Sequence, residues 1–519
     1  MSEIENHIIY DMVVTLGFSI SEHPKNKCLS QTHTFKCGWH IVFLIYKSYF
    51  KMKKKTLVLI NPPVNSLKDM KILPEGLCLL AAIVLRDIED IEVKIIDAQT
   101  LDLSIEETVK RVLDLNADYI GITITILSVQ PASQIASKIK EKINIPVIVG
   151  GAQATVMPEE VMKRNRDFDY GVLGEGEITL VKLLKELDKK NKDFSKINGI
   201  IFWKNKKLIR TKPAELIKNM DDIPLPAWNL LEDTNIYSKS ISRSWRFPAF
   251  SFLSSRGCPG QCIFCAKLYG NCLRSYSAER LIEVVKILTI EYKIKHIDFY
   301  DDNFVIFRER LKKFCNYIIE NKIDITWTCL SRVDHINEEI LKLMYRAGCR
   351  KLEFGIESGN QEILDFEKKG ITLEQIKRAV IMTKKTEIET AGFVILGHPK
   401  ETKETMQETI DFVKSLPLDD CFFSYMTPYP GTMLYNTARK YGEFKEDWNI
   451  MNQGKISFIP KGLTEEDLRI YYKKGLREFY FRPRIIFHYL KKSIKQGRVL
   501  ELFKQGISFL GYIKKGTSG

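Results

Sequence analysis

Residues 254–265 read Ser254-Ser255-Arg256-Gly257-Cys258-Pro259-Gly260-Gln261-Cys262-Ile263-Phe264-Cys265. Three cysteines, with gaps of three and two residues, lie in this short loop together with glycine and proline. Iron–sulfur cubanes are normally held by four thiolates, so a three-cysteine loop leaves one iron open to a substrate or cofactor. The alternative is a zinc site completed by Cys272, although structural zinc favours Cys-x-x-Cys pairs that come in twos.

The loop resembles the signature of the radical S-adenosylmethionine (SAM) enzymes, Cys-x-x-x-Cys-x-x-Cys with an aromatic residue, here Phe264, before the last cysteine. The resemblance implies that Cys258, Cys262 and Cys265 hold a 4Fe-4S cluster whose open iron binds the amino and carboxylate groups of SAM. One electron from the cluster would then cleave SAM to methionine and a 5′-deoxyadenosyl radical, which removes a hydrogen atom from an unactivated carbon. An electron donor such as a flavodoxin or ferredoxin is the protein partner that this chemistry implies.

The sequence on either side of the loop alternates short β-rich runs with stretches of helical period. The predicted strands are Ala249–Leu253, His296–Tyr300, Thr326–Leu330, Lys351–Phe354, Gly392–Leu396 and Cys421–Met426, and helices are predicted between them. Six such β/α units form a partial (β/α)6 barrel, which is the fold that the resemblance implies. A barrel keeps its active site at the carboxyl ends of its strands.

Polar residues follow several of these predicted strands. They are Asp301-Asp302-Asn303, Ser331-Arg332, Glu357-Ser358-Gly359 and Gly397-His398-Pro399. Carboxylates at this mouth suit the cationic amino group and the ribose hydroxyls of SAM, and by resemblance to the family we expect Asp301, Asp302, Arg332 and Glu357 to bind it. The family's Gly-Gly-Glu after the second strand is absent, which leaves open which aspartate takes its place. Each residue also has an interpretation as a helix N-cap or a solvated loop residue.

A second α/β pattern precedes the barrel. Its predicted strands are Thr56–Ile60, Glu92–Asp97, Tyr119–Thr123, Pro146–Val149 and Tyr170–Leu173. Five strands with intervening helices indicate a doubly wound, Rossmann-like sheet, whose ligands bind at the carboxyl ends of the strands. Gly150 and Gly151 follow the fourth strand, and Gly174 and Gly176 follow the fifth. Neither pair belongs to a GxGxxG fingerprint, but small residues there let a flat ligand approach the backbone.

This arrangement resembles the cobalamin-binding domain that is fused to some radical SAM enzymes. The chain has no histidine from Thr56 to Glu291, and Gln153 stands where some relatives carry a histidine. We therefore expect cobalamin to bind without a histidine ligand from the protein. The alternative is a sheet kept only for structure or docking. The methylthiotransferase branch is not favoured, because Cys78 is the single cysteine between Lys53 and Gly257.

We divide the chain into five segments. They are an extension that we expect not to be native (residues 1–53, with Met52 as the expected start), a cobalamin-binding-like domain (54–190), a hairpin and linker (191–245), the radical SAM barrel (246–461) and a basic helical tail (462–519). After Leu468 the chain has thirteen Lys or Arg residues and two acidic ones, within a formal net charge of +14. Such a tail indicates a basic amphipathic surface for an anionic membrane or an amphiphilic substrate, or else helices that pack on the barrel and expose a solvated face.

These observations predict a cytoplasmic enzyme, with peripheral membrane contact through the tail as an additional hypothesis. No apolar run is long enough to span a membrane, eleven scattered cysteines argue against a disulfide framework, and no nucleic-acid recognition motif accompanies the basic charge. We expect a cobalamin-dependent radical SAM enzyme that methylates an unactivated carbon of a small molecule or lipid. A radical oxidation or ring closure without methyl transfer is the alternative, and a non-catalytic iron–sulfur binding or regulatory protein is another.

Overall fold

The computed structural model describes residues 54–64, 66, 71–237 and 244–515. The predicted extension over residues 1–53 lies outside these described residues.

The first part of the described chain folds into a seven-stranded sheet. Its strands are β1 (Lys55–Asn61), β2 (Ile91–Asp97), β3 (Tyr119–Thr123), β4 (Val147–Gly150), β5 (Tyr170–Val172), β6 (Ile200–Lys204) and β7 (Lys207–Arg210). The order across the sheet is β2-β1-β3-β4-β5-β6-β7. The first five strands are parallel, β6 pairs antiparallel with β5, and β7 pairs antiparallel with β6. The predicted doubly wound sheet is confirmed, and the predicted hairpin extends the same sheet beyond residue 190.

Helices cover both faces of this sheet. They are α1 (Glu75–Asp87), α2 (Ile105–Asp114), α3 (Val129–Lys140), α4 (Ala152–Val156), α5 (Pro158–Arg164) and α6 (Gly176–Leu187). A parallel strand covered on both sides must be apolar throughout, and Leu57, Val58, Leu59 and Ile60 of β1 are all buried. The strand order reverses at β1 and β3, which opens a crevice at their carboxyl ends.

A second sheet curls into a partial barrel. Its strands are β8 (Ala249–Phe252), β11 (His296–Phe299), β12 (Thr326–Ser331), β13 (Cys349–Glu357), β14 (Glu389–Leu396) and β15 (Asp420–Tyr425), and a short pair, β9 (Ser255–Arg256) and β10 (Arg274–Ser275), lies after β8. The six strands are parallel, in the order β15-β14-β13-β12-β11-β8. The helices around them are α7 (Ala278–Ile290), α8 (Arg308–Glu320), α9 (Glu338–Arg346), α10 (Gln361–Phe366), α11 (Leu373–Lys384), α12 (Lys403–Ser415) and α13 (Met433–Tyr441). The predicted (β/α)6 partial barrel is thus confirmed.

The tail is helical, as predicted. After a small antiparallel pair, β16 (Gly442–Phe444) and β17 (Phe458–Pro460), it forms α14 (Glu465–Tyr480), α15 (Pro483–Gln496) and α16 (Val499–Lys515). Leu468 and Phe479 of α14 are buried against the barrel, as are Ile485 and Lys492 of α15. Within the described residues, no helix is both long and apolar enough to cross a bilayer.

Candidate active site

The cysteine loop projects from the end of the first barrel strand. The pair β9–β10 closes its base, with Arg256 opposite Arg274. Gly257 has φ +88°, and a side chain there would overlap the carbonyl oxygen of Cys272. A Cβ on Gly260 would lie 3.4 Å from Cys258 Sγ and 4.0 Å from Cys262 Sγ, so these two sulfurs flank the same glycine. We call residues 257–273 the cluster loop.

The three thiols of the loop fit the ligand set of a cubane with one open iron. Among the residues that the structure describes, no set of three or more His, Cys, Asp or Glu side chains forms a ready-made site for one metal ion. In a cubane each thiolate binds its own iron, so the sulfurs need not converge on one point. Partial burial, the Asp302 carboxylate and the other two thiols raise the pKa of Cys265 to about 12. Metal binding must therefore displace thiol protons.

The two aspartates after β11 take different places. Asp301 is completely buried behind the cluster loop, and it accepts hydrogen bonds from the Ser254 backbone N–H (3.2 Å), the Ser254 hydroxyl (2.9 Å) and the Ser255 hydroxyl. Asp302 is exposed at the mouth, where its charge acts on Cys265. Asp301 is thus placed to hold the chain that enters the loop, whereas Asp302 remains accessible to a ligand.

Glu357 ends β13 in a left-handed conformation, with φ +64°. Its Oε1 accepts a hydrogen bond from Lys369 Nζ at 2.5 Å, and both side chains are largely buried. Burial alone would favour a neutral amine, but the Glu357 carboxylate and the Cys262 thiol raise the pKa of Lys369. Lys369 is a site residue that sequence reasoning missed. Its position in a polar run after α10 gave no periodic signal.

Arg332 follows the third barrel strand, β12, and lies beside the cluster loop. Its guanidinium pairs with both oxygens of Asp334 at 3.0 and 2.9 Å, and it donates to the carbonyl oxygen of Lys369 at 3.0 Å. A Cβ on Gly260 would lie 4.0 Å from its Nη1. The structure therefore brings Asp302, Arg332 and Glu357 to the same mouth as the cysteines.

A buried polar cluster lies behind Glu357. His398 Nδ1 is 3.1 Å from Glu367 Oε1, and its Nε2 is 3.4 Å from the carbonyl oxygen of Glu357. Glu401 accepts hydrogen bonds from the backbone N–H groups of Gly397 and His398. Burial alone would keep the imidazole neutral, but the hydrogen bond to Glu367 and the charge of Glu401 raise the pKa of His398 to about 9. Because the Glu367 carbonyl accepts from Ile263 N–H at 3.1 Å, this cluster also supports the cluster loop.

A cavity of about 190 Å³ lies between the first sheet and the cluster loop. All four glycines that the sequence singles out, Gly150, Gly151, Gly174 and Gly176, line it. From the barrel side it is lined by Leu253, Arg256 and Tyr269, and none of its lining residues is a histidine. At Gly151 the backbone has φ +104°, and a Cβ would lie 2.8 Å from the carbonyl oxygen of Ile124. The carboxyl edge of the sheet thus opens toward the cluster loop.

Buried ion pairs join the sheet to the base of the cluster loop. Arg256 pairs with Glu177, and its Nη1 lies 3.5 Å from Glu175 Oε1. Arg274 Nη2 lies 2.6 Å from the same oxygen of Glu175. All four side chains are buried. The sequence singled out the Gly-Glu-Gly-Glu run for its glycines and missed the acids. The sequence offered no local signal for them, because their arginine partners lie far away along the chain.

Comparisons with known proteins agree with this geometry. The family model of the radical SAM superfamily matches residues 252–413, and the family model of the B12 binding domain matches residues 71–184. An uncharacterised methyltransferase of Pyrococcus horikoshii is 35% identical, over 84% of this chain and 94% of that protein.

Two solved structures share the fold over most of the chain. The radical SAM methyltransferase TsrM of Kitasatospora setae, with cobalamin and a 4Fe-4S cluster bound, has a TM-score of 0.62 at 19% identity and covers 83% of this chain and 82% of its own. The cobalamin-dependent SAM radical enzyme OxsB, with aqua-cobalamin and SAM bound, has a TM-score of 0.68 at 19% identity. The match covers 86% of this chain and 72% of the OxsB chain. The chain therefore shares the overall fold of these two structures.

Proposed function

Because the chain belongs to the family of cobalamin-dependent radical SAM enzymes, we propose that it methylates an unactivated carbon of a small molecule or lipid. The observation that carries the proposal is the shared space between the two cofactor regions. The cavity at Gly150 and Gly174 is closed on its other side by Leu253 and Arg256, which lead directly into the cluster loop. Methyl transfer requires that a corrinoid and a carbon radical meet, and this arrangement provides for it. The P. horikoshii relative, named a methyltransferase, also supports it.

The residues of this chain would divide the work in the following way. Cys258, Cys262 and Cys265 would hold the 4Fe-4S cluster, and the cluster would supply the electron for SAM cleavage. Asp302, Arg332 and Glu357 contact SAM at the mouth, while Asp301 fixes the backbone entering the loop. Lys369 holds the Glu357 carboxylate in place. Gly150, Gly151, Gly174 and Gly176 let the cobalamin approach the backbone at the sheet edge.

The overall reaction has a defined balance. One C–H bond of the substrate is replaced by C–CH₃ at the expense of two SAM molecules and two electrons. One SAM gives S-adenosylhomocysteine after losing its methyl group, and the other gives methionine and 5′-deoxyadenosine, which carries away the substrate hydrogen. The electrons come from a reduced donor of the flavodoxin or ferredoxin class.

The experiment that tests this proposal is mass spectrometry of the SAM products. Anaerobically reconstituted protein would be supplied with dithionite, SAM and hydroxocobalamin. We expect both S-adenosylhomocysteine and 5′-deoxyadenosine, and we expect Cys265→Ala to abolish the latter. Cys272→Ala is the matched control: it alters an exposed cysteine of the same loop and should leave both products unchanged. If 5′-deoxyadenosine forms alone, oxidative or ring-forming chemistry is favoured, and if neither product forms, a non-catalytic iron–sulfur protein is favoured.

We further propose that the tail contacts an anionic membrane surface. Large apolar side chains are exposed along α15 and α16: Phe487 (68%), Ile494 (67%), Leu500 (78%), Phe503 (60%) and Ile507 (70%). Exposed basic residues, Arg484, Lys491, Lys495 and Lys504, accompany them. An apolar strip beside basic residues is the pattern of a helix that lies in a lipid interface. The same surface would serve an amphiphilic substrate.

Vesicle sedimentation tests this second proposal. The protein should sediment with phosphatidylserine-containing vesicles and not with pure phosphatidylcholine vesicles, and Phe487→Ser with Ile494→Ser should abolish sedimentation. Ile290→Ser, which alters an exposed apolar side chain (64%) of α7, is the matched control. Equal sedimentation of wild type and the double variant would contradict the proposal.

A further inference from the structure

The segment that carries Glu357 makes a turn of a rare kind. Glu357 has φ +64°, and the Ser358 N–H donates to the carbonyl oxygen of Ile356 at 2.9 Å. A hydrogen bond that spans a single residue with positive φ defines a classic γ-turn, which is rare and strained. Glutamate has no local preference for this conformation, because its Cβ crowds the backbone there. The surroundings of the turn must therefore hold it in place.

The chain that follows the turn is fixed by α12. Thr409 Oγ1 accepts a hydrogen bond from the Gly359 N–H at 3.0 Å and lies 3.1 Å from Ser358 Oγ. A Cβ on Gly359 would lie 2.7 Å from Thr409 Cα, so the segment packs directly on the helix. Ser358 and Thr409 are both completely buried. The position of the chain on one side of Glu357 is thus set by the helix.

His398 contacts the turn from the neighbouring strand. It follows β14, which pairs with β13, and its ring is completely buried. Its Nε2 lies 3.4 Å from the carbonyl oxygen of Glu357, and its Nδ1 lies 3.1 Å from Glu367 Oε1. Both partners are acceptors, so a ring that satisfies both donates from both nitrogens. The His398 backbone N–H donates to Glu401 Oε2 at 2.9 Å, which fixes the point from which the ring extends.

The same histidine is connected to the cluster loop. The carbonyl oxygen of Glu367 accepts a hydrogen bond from the Ile263 N–H at 3.1 Å, and Ile263 directly follows Cys262. One side chain therefore links the backbone of Glu357 to the residue that supports the middle of the cluster loop. A ligand that binds both the open iron and Glu357 requires these two groups at a fixed separation.

We propose that His398 is a positioning residue for SAM, which holds the strained turn at Glu357 at a fixed position relative to the cluster loop. The inference rests on the proposed function, because it takes Glu357 and the cluster as the SAM site. Without the two hydrogen bonds of His398, the turn should relax in most molecules. The apparent affinity for SAM then falls in proportion to the fraction of molecules that retain the turn.

The test is the SAM affinity of the reconstituted full chain, measured by equilibrium dialysis. The EPR spectrum of the reduced cluster is recorded with and without SAM, because binding at the open iron changes it. His398→Leu should keep the iron and sulfide content of wild type and weaken SAM binding about tenfold, with a smaller spectral change at the same SAM concentration. His398→Gln retains a donor and should bind SAM more tightly than His398→Leu.

His296→Gln is the matched control for the loss of a buried histidine. His296 is completely buried and is the first residue of β11, at the opposite end of the barrel from the mouth. Its ring contacts Thr326 Oγ1 at 2.8 Å and Asp298 Oδ1 at 3.2 Å. The substitution should lower the free energy of unfolding and leave both the SAM affinity and the spectral change as in wild type.

Wild-type SAM affinity in His398→Leu, or an equal loss in His296→Gln, would overturn the inference. If the wild-type chain itself binds no SAM, the SAM site of the proposed function fails and the inference falls with it. If His398→Leu lacks the thermal transition of wild type, His398→Asn repeats the test with a smaller polar side chain. Wild-type SAM affinity in that variant would overturn the inference as well.

Discussion

Gly355 lies where the ion pair of Glu357 and Lys369 leaves no room for a side chain. A Cβ at this position would overlap Glu357 Oε1 and lie 2.6 Å from Lys369 Nζ. Gly355→Ala should therefore displace the pair, weaken SAM binding about tenfold and lower the free energy of unfolding by only about 1 kcal/mol. Equilibrium dialysis with the reconstituted protein measures the affinity. Gly506→Ala, in open space on α16, should have no effect on it. Unchanged SAM affinity in Gly355→Ala would separate this ion pair from the SAM site.

His398 should make the free energy of unfolding of the apoprotein depend on pH, and the sign of this dependence follows from the groups around the imidazole. Its pKa is raised from 6.5 to about 9 by Glu367 and Glu401, although burial opposes the charge. A raised histidine pKa stabilises the fold fully below the unfolded value and loses that contribution as the pH rises toward the folded value. The contribution should fall by on the order of 3 kcal/mol between pH 6.5 and 9.

Urea unfolding of cluster-free protein tests this expectation. The difference in unfolding free energy between wild type and His398→Gln should be largest near pH 6 and shrink by pH 9.5. His335→Gln is the control, because burial lowers the pKa of that histidine and its pH dependence should not follow the same course. A difference that grows with pH would contradict the assigned sign.

The residues of the candidate site that could be predicted from the sequence are those that closely follow a motif or the end of a predicted strand. Asp302, Arg332 and Glu357 follow predicted strands, and parallel strand ends meet at one mouth. Lys369 and Arg256 were not predicted, because their partners are set by the packing of distant elements. Arg256, for example, pairs with Glu177, which is 79 residues earlier in the chain. Sequence spacing carries no information about such a contact.

At the scale of elements, a buried lysine of α15 forms an ion pair with the first residue of barrel strand β14. Lys492 donates to Glu389 Oε2 at 2.8 Å, and Trp245 Nε1 donates to the same oxygen at 3.0 Å. Burial alone would raise the pKa of Glu389, but Lys492 and His488 lower this pKa to about 2. Lys492→Met leaves this carboxylate without its lysine and should destabilise the fold by about 3–5 kcal/mol. Chemical unfolding of Lys491→Met, which alters the adjacent exposed lysine, should differ from wild type by less than about 0.5 kcal/mol.

The double variant Lys492→Met with Glu389→Gln distinguishes a buried charge from lost packing. Removing both charges should recover much of the lost stability, because the penalty lies in a buried carboxylate that has lost its closest positive charge. If the double variant is as unstable as Lys492→Met, the aliphatic stem of the lysine provides the stabilisation.

Whether a segment forms a helix or a strand was predictable, because the period of its hydrophobic residues decides it. The residues at which each element begins and ends were harder to predict. The third strand of the first sheet, Tyr119–Thr123, has the predicted bounds, whereas β13 runs from Cys349 to Glu357 instead of Lys351–Phe354. Its polar residues, Lys351 and Glu353, face buried partners inside the barrel and so break the apolar pattern of a central strand. The register shift between Gly355 and Glu357 further obscures the end of the strand.

At the scale of the whole molecule, the first sheet and the cluster loop are held together by charge. Glu177 lies at the start of α6 in the B12-binding region, and its partner Arg256 is two residues from Cys258. Both side chains are buried, so loss of either charge removes the nearest opposite charge from the other. The order of domains along the chain was readable from the sequence. Their attachment was not, because it depends on these side-chain pairs.

This attachment should make cluster retention depend on the B12-binding region. Glu177→Gln leaves Arg256 with the more distant Glu175 and should loosen the base of the cluster loop, so that a chelator removes iron about tenfold faster. Absorbance of an iron–bathophenanthroline complex follows the rate. Glu186→Gln, on the same helix but paired with Lys189, is the matched control and should release iron at the wild-type rate. Because coupling between two sites is reciprocal, the cluster-loaded wild type should also bind hydroxocobalamin more tightly than the cluster-free protein, and Glu177→Gln should reduce that difference. Equal iron release from both glutamine variants would mean that the cluster loop is held by the barrel alone.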